Sequence, residues 1–184
     1  MVNLTNKETM KLKEKTTAKG GVKVYKKFCP ENAKLLKAFC KSKRKGGTFY
    51  STWCEKLLSN LLGKPHLDTH NLIVNQGLYV YPILLQNQTV PTISVAIGTD
   101  NTAESVGQTA LGNQVAADTS PSASASSATC VIYAIIGPGW SGTFYEFGLF
   151  IGGYMHSRIV DAVGHSKAAD EPIVIQWTLS YARG

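Results

Sequence analysis

With 184 residues, of which 43% are hydrophobic and 17% are charged, the chain is long and apolar enough to bury its own core, which excludes a disordered protein. No apolar run reaches the roughly 18 residues that a membrane helix needs, and the lysine-rich start lacks the apolar stretch of a signal peptide. We therefore expect a protein that is synthesised in the cytoplasm and stays there.

Charge is divided unequally along the chain. Residues 1–70 contain 16 Lys and Arg against 5 Asp and Glu, a net charge of +11, whereas residues 71–184 contain 3 against 7, a net charge of −4. Such an asymmetry indicates two regions with different neighbours, because a basic segment attracts phosphates or an acidic protein face. A solvated basic face is the remaining alternative.

Ten basic side chains of the first region are candidate contacts with a polyanion or with a protein partner. They are Lys11, Lys13, Lys15, Lys23, Lys26, Lys27, Lys41, Lys43, Arg44 and Lys45. Lysine contacts phosphate without reading bases, so nucleic-acid binding through this set would be independent of sequence and sensitive to salt.

The N-terminal region is predicted to contain an arm, a strand and two helices, in that order. Residues 1–20 are polar and predict an arm that is ordered only when something else holds it. After Gly20 and Gly21 interrupt the pattern, Val22, Val24 and Phe28 alternate with lysines and predict a short strand.

Two amphipathic helices are predicted next. The first begins at Pro30 and ends at Gly46-Gly47, and its apolar side chains are Leu35, Leu36 and Phe39. The second has a capping box of Thr52 and Glu55 and ends before Gly63. Its apolar face consists of Trp53, Leu57, Leu58, Leu61 and Leu62.

From Asn71 onward, short apolar runs separated by Gly, Pro, Asn and Ser are typical of all-β folds. The candidate strands are 71–75, 78–85, 92–97, 129–136, 143–151, 154–160 and 172–181. Pro82 makes 78–85 an edge strand or an irregular segment. The stretch 116–128 is rich in Ser and Ala and lacks a large apolar residue, so it is predicted to be a surface loop.

The last third of the chain has the most regular alternation. One buried face is predicted from Thr143, Tyr145, Phe147, Leu149 and Ile151, and another from Ile173, Ile175, Trp177 and Leu179. Gly152-Gly153 supplies the positive-φ turn of a hairpin between residues 143–151 and 154–160.

No motif predicts catalysis, a cofactor or a metal. Residues 137–142 read GPGWSG and satisfy the GxGxxG expression, but a β-patterned strand follows where a dinucleotide site needs a helix, so a tight β connection is expected. His66 and His70 are four apart, yet Pro65 and Asp68 disfavour a helix there. The chain also lacks HExxH, CxxC and GxSxG motifs.

The four cysteines and Glu146 are predicted to have structural roles. The cysteines Cys29, Cys40, Cys54 and Cys130 have spacings that fit neither a zinc site nor a disulfide framework, so we expect buried, reduced thiols. Glu146 lies among aromatic residues in a predicted strand and needs a compensating charge, whose neighbourhood is predicted to be that of Arg158 and Asp161.

Three motifs follow one another between about residues 66 and 182. Residues 70–78 read HNLIVNQGL; Ile97-Gly98-Thr99 precedes Thr109-Ala110-Leu111; and the ending contains EFGLF at 146–150, GGYMHSR at 152–158, Lys167 and IVIQWTLSY at 173–181. In this order they resemble the NLVxNxGL, GxGT…DTAL and EIGLFxGGxMLxR…K…LTVxWTIxF segments of small structural proteins of tailed-phage virions. The lysine-rich stretch before His66 departs from the shorter N-terminal strands of that family.

The resemblance implies a β-sandwich subunit of a tail, neck or capsid surface. We therefore expect a mainly β protein with a jelly-roll-like antiparallel sandwich at residues 66–184, behind a basic, partly helical segment at residues 1–65. The expected function is non-enzymatic assembly into a virion in the host cytoplasm, as a homo-oligomer that contacts other virion proteins and not a membrane. The alternatives are a sequence-independent nucleic-acid-binding protein and a carbohydrate-binding tail-tip module that uses Trp140, Tyr145 and Tyr154.

Overall fold

The computed structural model describes residues 16–26, 60, 62–78, 80, 91–126 and 129–183. This part of the chain is mainly β and forms two antiparallel sheets, so the predicted fold class is confirmed at that level. Helical residues within it are 60, 62, 75–78 and 80. None of its helices is long and apolar enough to cross a membrane.

Ten strands are described. The first five are β1 (Thr16–Tyr25), β2 (Leu67–His70), β3 (Leu72–Ile73), β4 (Ile93–Gly98) and β5 (Gln114–Asp118). The other five are β6 (Ser122–Ser126), β7 (Thr129–Ile136), β8 (Gly142–Ile151), β9 (Tyr154–Lys167) and β10 (Ile173–Arg183). Sheet I has the order β2-β1-β10-β7-β6, and sheet II has the order β3-β9-β8-β4-β5.

The chain passes from one sheet to the other at both sets of edge strands. Between β2 and β3 the crossing residue is Asn71, whose backbone N–H donates to the carbonyl oxygen of Gly20 at 3.1 Å. Between β5 and β6, a carboxylate oxygen of Asp118 accepts a hydrogen bond from the backbone N–H of Ile135 in β7 at 2.8 Å. The first contact ties the crossing residue to β1, and the second ties the edge strand β5 of sheet II to β7 of sheet I.

Both sheets contribute to one hydrophobic core. Alternate residues of β10 (Ile173, Ile175, Trp177 and Leu179) enter it as predicted, together with side chains of β1 and β7 from the same sheet. Val95 and Ile97 of β4 and the core residues of β8 and β9 enter it from sheet II. Each large side chain that is fully buried contributes roughly 1.5–3 kcal/mol to folding, so this shared core is what holds the two sheets together.

The other faces of the sheets are also partly covered. Leu62 packs with Tyr25, Tyr133 and Val174 on sheet I. Leu62 is the last residue of the predicted second helix, and the two helical positions described there, with Gly63 following at φ 69°, agree with that prediction. On sheet II, a third cluster consists of Val74, Ala96, Leu111 and Met155, with Phe150 packed against it.

The N-terminal region enters the β domain directly. β1 lies between β2 and β10 in sheet I, and Val22 and Val24 are fully buried in the core. The predicted strand is therefore confirmed at Val22 and Val24, whereas Phe28 lies outside the described residues. Gly20 and Gly21 lie within the strand and do not interrupt it. Residues 16–25 pair with β10 in one sheet. These two strands were expected to lie on opposite sides of a domain boundary between residues 65 and 66. The predicted first helix and most of the arm lie outside the described residues.

Two sequence predictions about secondary structure are wrong. The stretch 116–128 was expected to be a loop, yet β5 ends within it and β6 follows at Ser122–Ser126. Small Ala and Ser side chains give a weak strand signal, but backbone pairing with β4 and β7 forms these edge strands nevertheless. Leu78 and Val80 are helical, although an edge strand or irregular segment was expected over 78–85. The other residues of that range lie outside the described residues.

The buried face of β8 differs from its prediction at one end. Phe147, Leu149 and Ile151 are in the core as expected, but Phe144 is fully buried there and Tyr145 is only partly buried. The reason is a register shift, because Phe144 pairs with His165 and Glu146 pairs with Val160. The four residues 161–164 of β9 therefore bulge opposite Tyr145 and reverse the alternation.

Candidate functional site

A buried ion pair joins the two strands of the β8–β9 hairpin on the side of sheet II that faces away from the shared core. Glu146 of β8 and Arg158 of β9 are both fully buried. The Arg158 Nε atom donates to Glu146 Oε2 at 2.9 Å, and Arg158 Nη2 lies 2.7 Å from the same oxygen. This two-atom contact confirms that Arg158 compensates the Glu146 charge.

The loop between β4 and β5, residues 99–113, closes over this pair. Glu146 Oε1 accepts a hydrogen bond from the Asn113 N–H at 2.9 Å, and Oε2 accepts one from the Gly112 N–H at 3.0 Å. Arg158 Nη1 donates to the carbonyl oxygen of Thr102 at 3.0 Å. The ion pair therefore fixes both ends of the loop through backbone atoms.

Asp100 completes the network at the surface. One of its carboxylate oxygens lies 3.0 Å from Arg158 Nη2, and the other accepts hydrogen bonds from the Thr102 hydroxyl and N–H at 2.8 and 3.1 Å. These Thr102 hydrogen bonds, and secondarily Arg158, lower the pKa of the Asp100 carboxyl. Arg158 is thus enclosed by two carboxylates and a carbonyl.

Two glycines permit the close approach of this loop. A Cβ atom on Gly98 would meet the Glu146 carboxylate and the carbonyl oxygen of Asn113, and one on Gly112 would meet the Asp100 carboxylate. Gly98 belongs to the IGT motif noted in the sequence, and its role is to leave space for the buried carboxylate.

Asp161, the other charge named for Glu146, has a different partner. Its Oδ2 atom lies 2.7 Å from His165 Nε2, across the bulge at residues 161–164. His165 is 3% exposed, packs edge to face with His66 at 5.1 Å between ring centroids, and has a buried Nδ1 atom without a hydrogen-bond partner. Burial is the main cause that lowers the pKa of His165, and Asp161 opposes it.

Lys167 is buried at the same end of the hairpin. Its Nζ atom donates to the carbonyl oxygens of Trp140 and Ala168 at 2.9 and 3.1 Å. Removal from water lowers the pKa of Lys167. The contact with Trp140 fixes the connection at 137–141, which joins β7 directly to β8, so the expectation of a tight β connection is confirmed.

His156 lies at the other end of β9, against the segment 74–78. It is fully buried, and burial lowers its pKa to about 4. Its carbonyl oxygen accepts from the Val74 N–H at 3.2 Å, and a Cβ atom on Gly77 would meet that same carbonyl. The NLIVNQGL motif therefore packs closely on the GGYMHSR motif.

Of the ten candidate basic contacts, only Lys23 and Lys26 lie within the described residues. Lys23 forms an exposed salt bridge with Asp68 of β2 at 3.2 Å. It is therefore already paired within one copy of the chain. The remaining eight lie outside the described residues, and their role stays a prediction.

The three aromatic residues named for a carbohydrate site do not lie together. Trp140 precedes Gly142, which pairs with Lys167, whereas Tyr154 pairs with Ile151 at the opposite end of the hairpin. The ten residues of β8 between these ends span about 30 Å. Tyr145 packs over Gly164 of the bulge.

Within the part of the chain that the structure describes, no group of three or more His, Cys, Asp or Glu side chains could hold a metal ion. The described cysteine, Cys130, is a free thiol that is only partly buried. Burial raises its pKa, which keeps the thiol protonated and unreactive at neutral pH. The other three cysteines lie outside the described residues.

Comparison with known proteins gives no relative: no family model, no curated protein and no solved structure matches this chain.

Proposed function

We propose that this chain is a non-enzymatic structural subunit of a tailed-phage virion, in its tail, its neck or on its capsid surface. It acts by assembling with copies of itself and by docking on other virion proteins, after synthesis in the host cytoplasm. We also infer that the two sheets form a β-sandwich of jelly-roll type, which is supported by their shared core and by the chain crossings at both sets of edge strands.

One observation carries the proposal: the motifs that resemble the virion proteins coincide with residues that hold the scaffold together. Asn71 is the crossing between the sheets, Glu146 and Arg158 form the buried pair, and Gly152-Gly153 form the hairpin turn with φ values of 62° and 84°. Residues that serve geometry in this way suit a protein whose function is its shape.

The burial of the charged groups supports the same proposal. Arg158, Glu146 and Lys167 are at most 3% exposed, and their hydrogen bonds go to backbone and side-chain atoms of the chain itself. A general acid, base or nucleophile must reach its substrate, so these groups are suited to positioning loops.

Sequence-independent nucleic-acid binding is the second candidate, because residues 1–70 carry a net charge of +11. Counterion release makes such binding fall steeply with salt. A set of lysines that docks on an acidic protein face would be salt-sensitive as well, so the two candidates differ in the partner.

The test is size-exclusion chromatography with light scattering on the full chain, with and without double-stranded DNA, over a salt series. A discrete oligomer whose mass is the same with and without DNA is the expected result. A monomer that associates with DNA alone, with an affinity that falls as salt rises, would overturn the structural proposal in favour of the second candidate. The full chain is required, because a truncation at Gly63 would remove β1 from its place between β2 and β10 in sheet I.

A further inference from the structure

Three of the four large hydrophobic side chains exposed in the described residues lie on segments that contact one another. Leu78, Val106 and Tyr154 are 58%, 51% and 39% exposed, and the fourth, Val163, is on the bulge of β9. We call the first three the apolar patch. Exposed apolar side chains that are grouped, and not scattered, mark interaction surfaces.

The segments that carry the patch meet at residues 75–78. The backbone N–H of Asn75 donates to the carbonyl oxygen of Val106 at 2.7 Å, and the Gln76 side chain accepts from the N–H of Met155, next to Tyr154, at 3.1 Å. Leu78 follows Asn75 by three residues in the same helical turn, which places both on one side of it.

Two of the three patch residues lie on segments that the buried ion pair anchors. Val106 belongs to the loop 99–113, whose two ends are fixed by Glu146 and Arg158. Tyr154 begins the strand that carries Arg158. A preformed surface loses less conformational entropy on binding than a mobile one, so this arrangement favours the docking of a partner.

The described segments that carry the patch, residues 75–78, 99–113 and 154–158, have no exposed lysine or arginine. Between positions 71 and 182 the sequence contains two such cations, Arg158 and Lys167, and both are buried. Glu104 and Asp100, by contrast, lie in the patch loop and reach solvent in part. A partner that fits this surface is therefore apolar on one side and cationic beside it.

The chain itself contains a segment with that chemistry. In residues 30–45, Leu35, Leu36 and Phe39 are followed by Lys41, Lys43, Arg44 and Lys45. This pattern matches an apolar patch with carboxylates beside it.

We propose that the apolar patch of one copy binds the basic, amphipathic segment 30–45 of a second copy. Because the donor segment and the acceptor patch are different parts of the chain, a docked pair still has one free patch, on the copy that donates its segment, and one free segment, on the copy that accepts it. Contacts of this head-to-tail kind build rings or filaments. The inference rests on the proposed function, since it names the surfaces through which the subunit assembles.

Two matched pairs of variants test the acceptor surface in the full chain, by sedimentation equilibrium. Val106→Ser removes a patch side chain and Val163→Ser removes an exposed valine elsewhere; Glu104→Lys reverses a charge beside the patch and Asp170→Lys reverses one on the connection between β9 and β10. We expect the self-association Kd to rise about tenfold for Val106→Ser and Glu104→Lys. The two control variants are expected to stay within about twofold of wild type, well below that tenfold effect. Circular dichroism melts check that all four keep the wild-type fold.

A mixing experiment tests the donor segment and its action between copies. Lys43→Glu with Lys45→Glu weakens self-association, and an equimolar mixture of this variant with Glu104→Lys associates more tightly than either alone, because opposite charges face each other again. Equal effects of Val106→Ser and Val163→Ser, or no recovery in the mixture, would overturn the inference. If the wild-type chain still self-associates in that case, the proposed function stands. A wild-type chain that is monomeric at every concentration would overturn both.

Discussion

The Glu146–Arg158 pair and the His165 side chain are both buried in sheet II, but their hydrogen-bonding partners differ. Arg158 uses Nε, Nη1 and Nη2 with two carboxylates and a carbonyl, and Glu146 also accepts from backbone N–H groups. His165 has one carboxylate partner, and its Nδ1 atom has none. A charge is therefore retained where its partners are complete, whereas His165 is suited to the neutral state.

The complete network fixes both ends of the loop 99–113, so the surface formed by that loop is preorganised. The end of the hairpin at His165 tolerates burial only while the imidazole is neutral. Four predictions test or sharpen the difference, in order of decreasing effect.

The largest effect is expected from Arg158→Met. The substitution leaves the Glu146 carboxylate buried without its cation and removes the Arg158 contact to the loop. Breaking a buried pair on one side costs about 3–5 kcal/mol of the free energy of unfolding. Urea denaturation of the full chain measures it, and a loss below about 1 kcal/mol would show that the pair stabilises no more than a surface pair.

Acidification is expected to have the next largest effect. The folded-state pKa of His156 is lowered from 6.5 to about 4 and that of His165 is also lowered, so the unfolded chain binds more protons below about pH 6.5. Stability is therefore fully present above that pH and decreases as pH falls toward 4, by up to about 1.4 kcal/mol per pH unit for His156.

Urea denaturation at about pH 7.5, 6, 5 and 4.5 measures this slope. In His156→Gln the slope is expected to be shallower, whereas His70→Gln, at an exposed position, should keep the wild-type slope. A wild-type stability that is constant over this range would contradict the buried neutral state of the two histidines.

A smaller loss of stability is expected from Gly77→Ala, which changes packing and leaves every charge in place. Gly77→Ala places a methyl group against the backbone of His156, whereas Gly107→Ala, in the loop 99–113, meets no atom within 4 Å. Overpacking typically costs about 1–3 kcal/mol, so Gly77→Ala should unfold at a lower urea concentration and Gly107→Ala should not. Equal stability of the two variants would mean that the segment 74–78 does not pack on β9.

The smallest effect is expected from Lys23→Met, which removes the cation of the exposed Lys23–Asp68 pair. Salt bridges of this kind contribute about 0–1 kcal/mol. The variant matches Arg158→Met in chemistry and differs in burial. A loss comparable to that of Arg158→Met, measured in the same urea series, would remove the distinction between the two environments.

The sequence predicts the elements whose side chains alternate in size. β7 has the predicted bounds, the core face of β10 is correct, and the Gly152-Gly153 turn follows from its two positive-φ residues. The compensation of Glu146 by Arg158 could also be inferred, because a carboxylate among aromatic residues requires a cation.

Other features leave little trace in the sequence. β5 and β6 consist largely of Ala and Ser, so their pairing depends on the neighbouring strands. The exchange of Tyr145 for Phe144 in the core follows from a bulge in β9, four residues of which oppose one residue of β8. The ligands that Glu146 finds in the loop 99–113 are backbone N–H groups, which any residue except proline supplies.

The most direct test of the central claim, that the chain functions by assembly, is native mass spectrometry of the full wild-type protein near neutral pH. We expect one or more discrete oligomers of this chain that persist without nucleic acid and without any added ligand. A monomer at every concentration, under conditions in which circular dichroism shows the β fold intact, would contradict it.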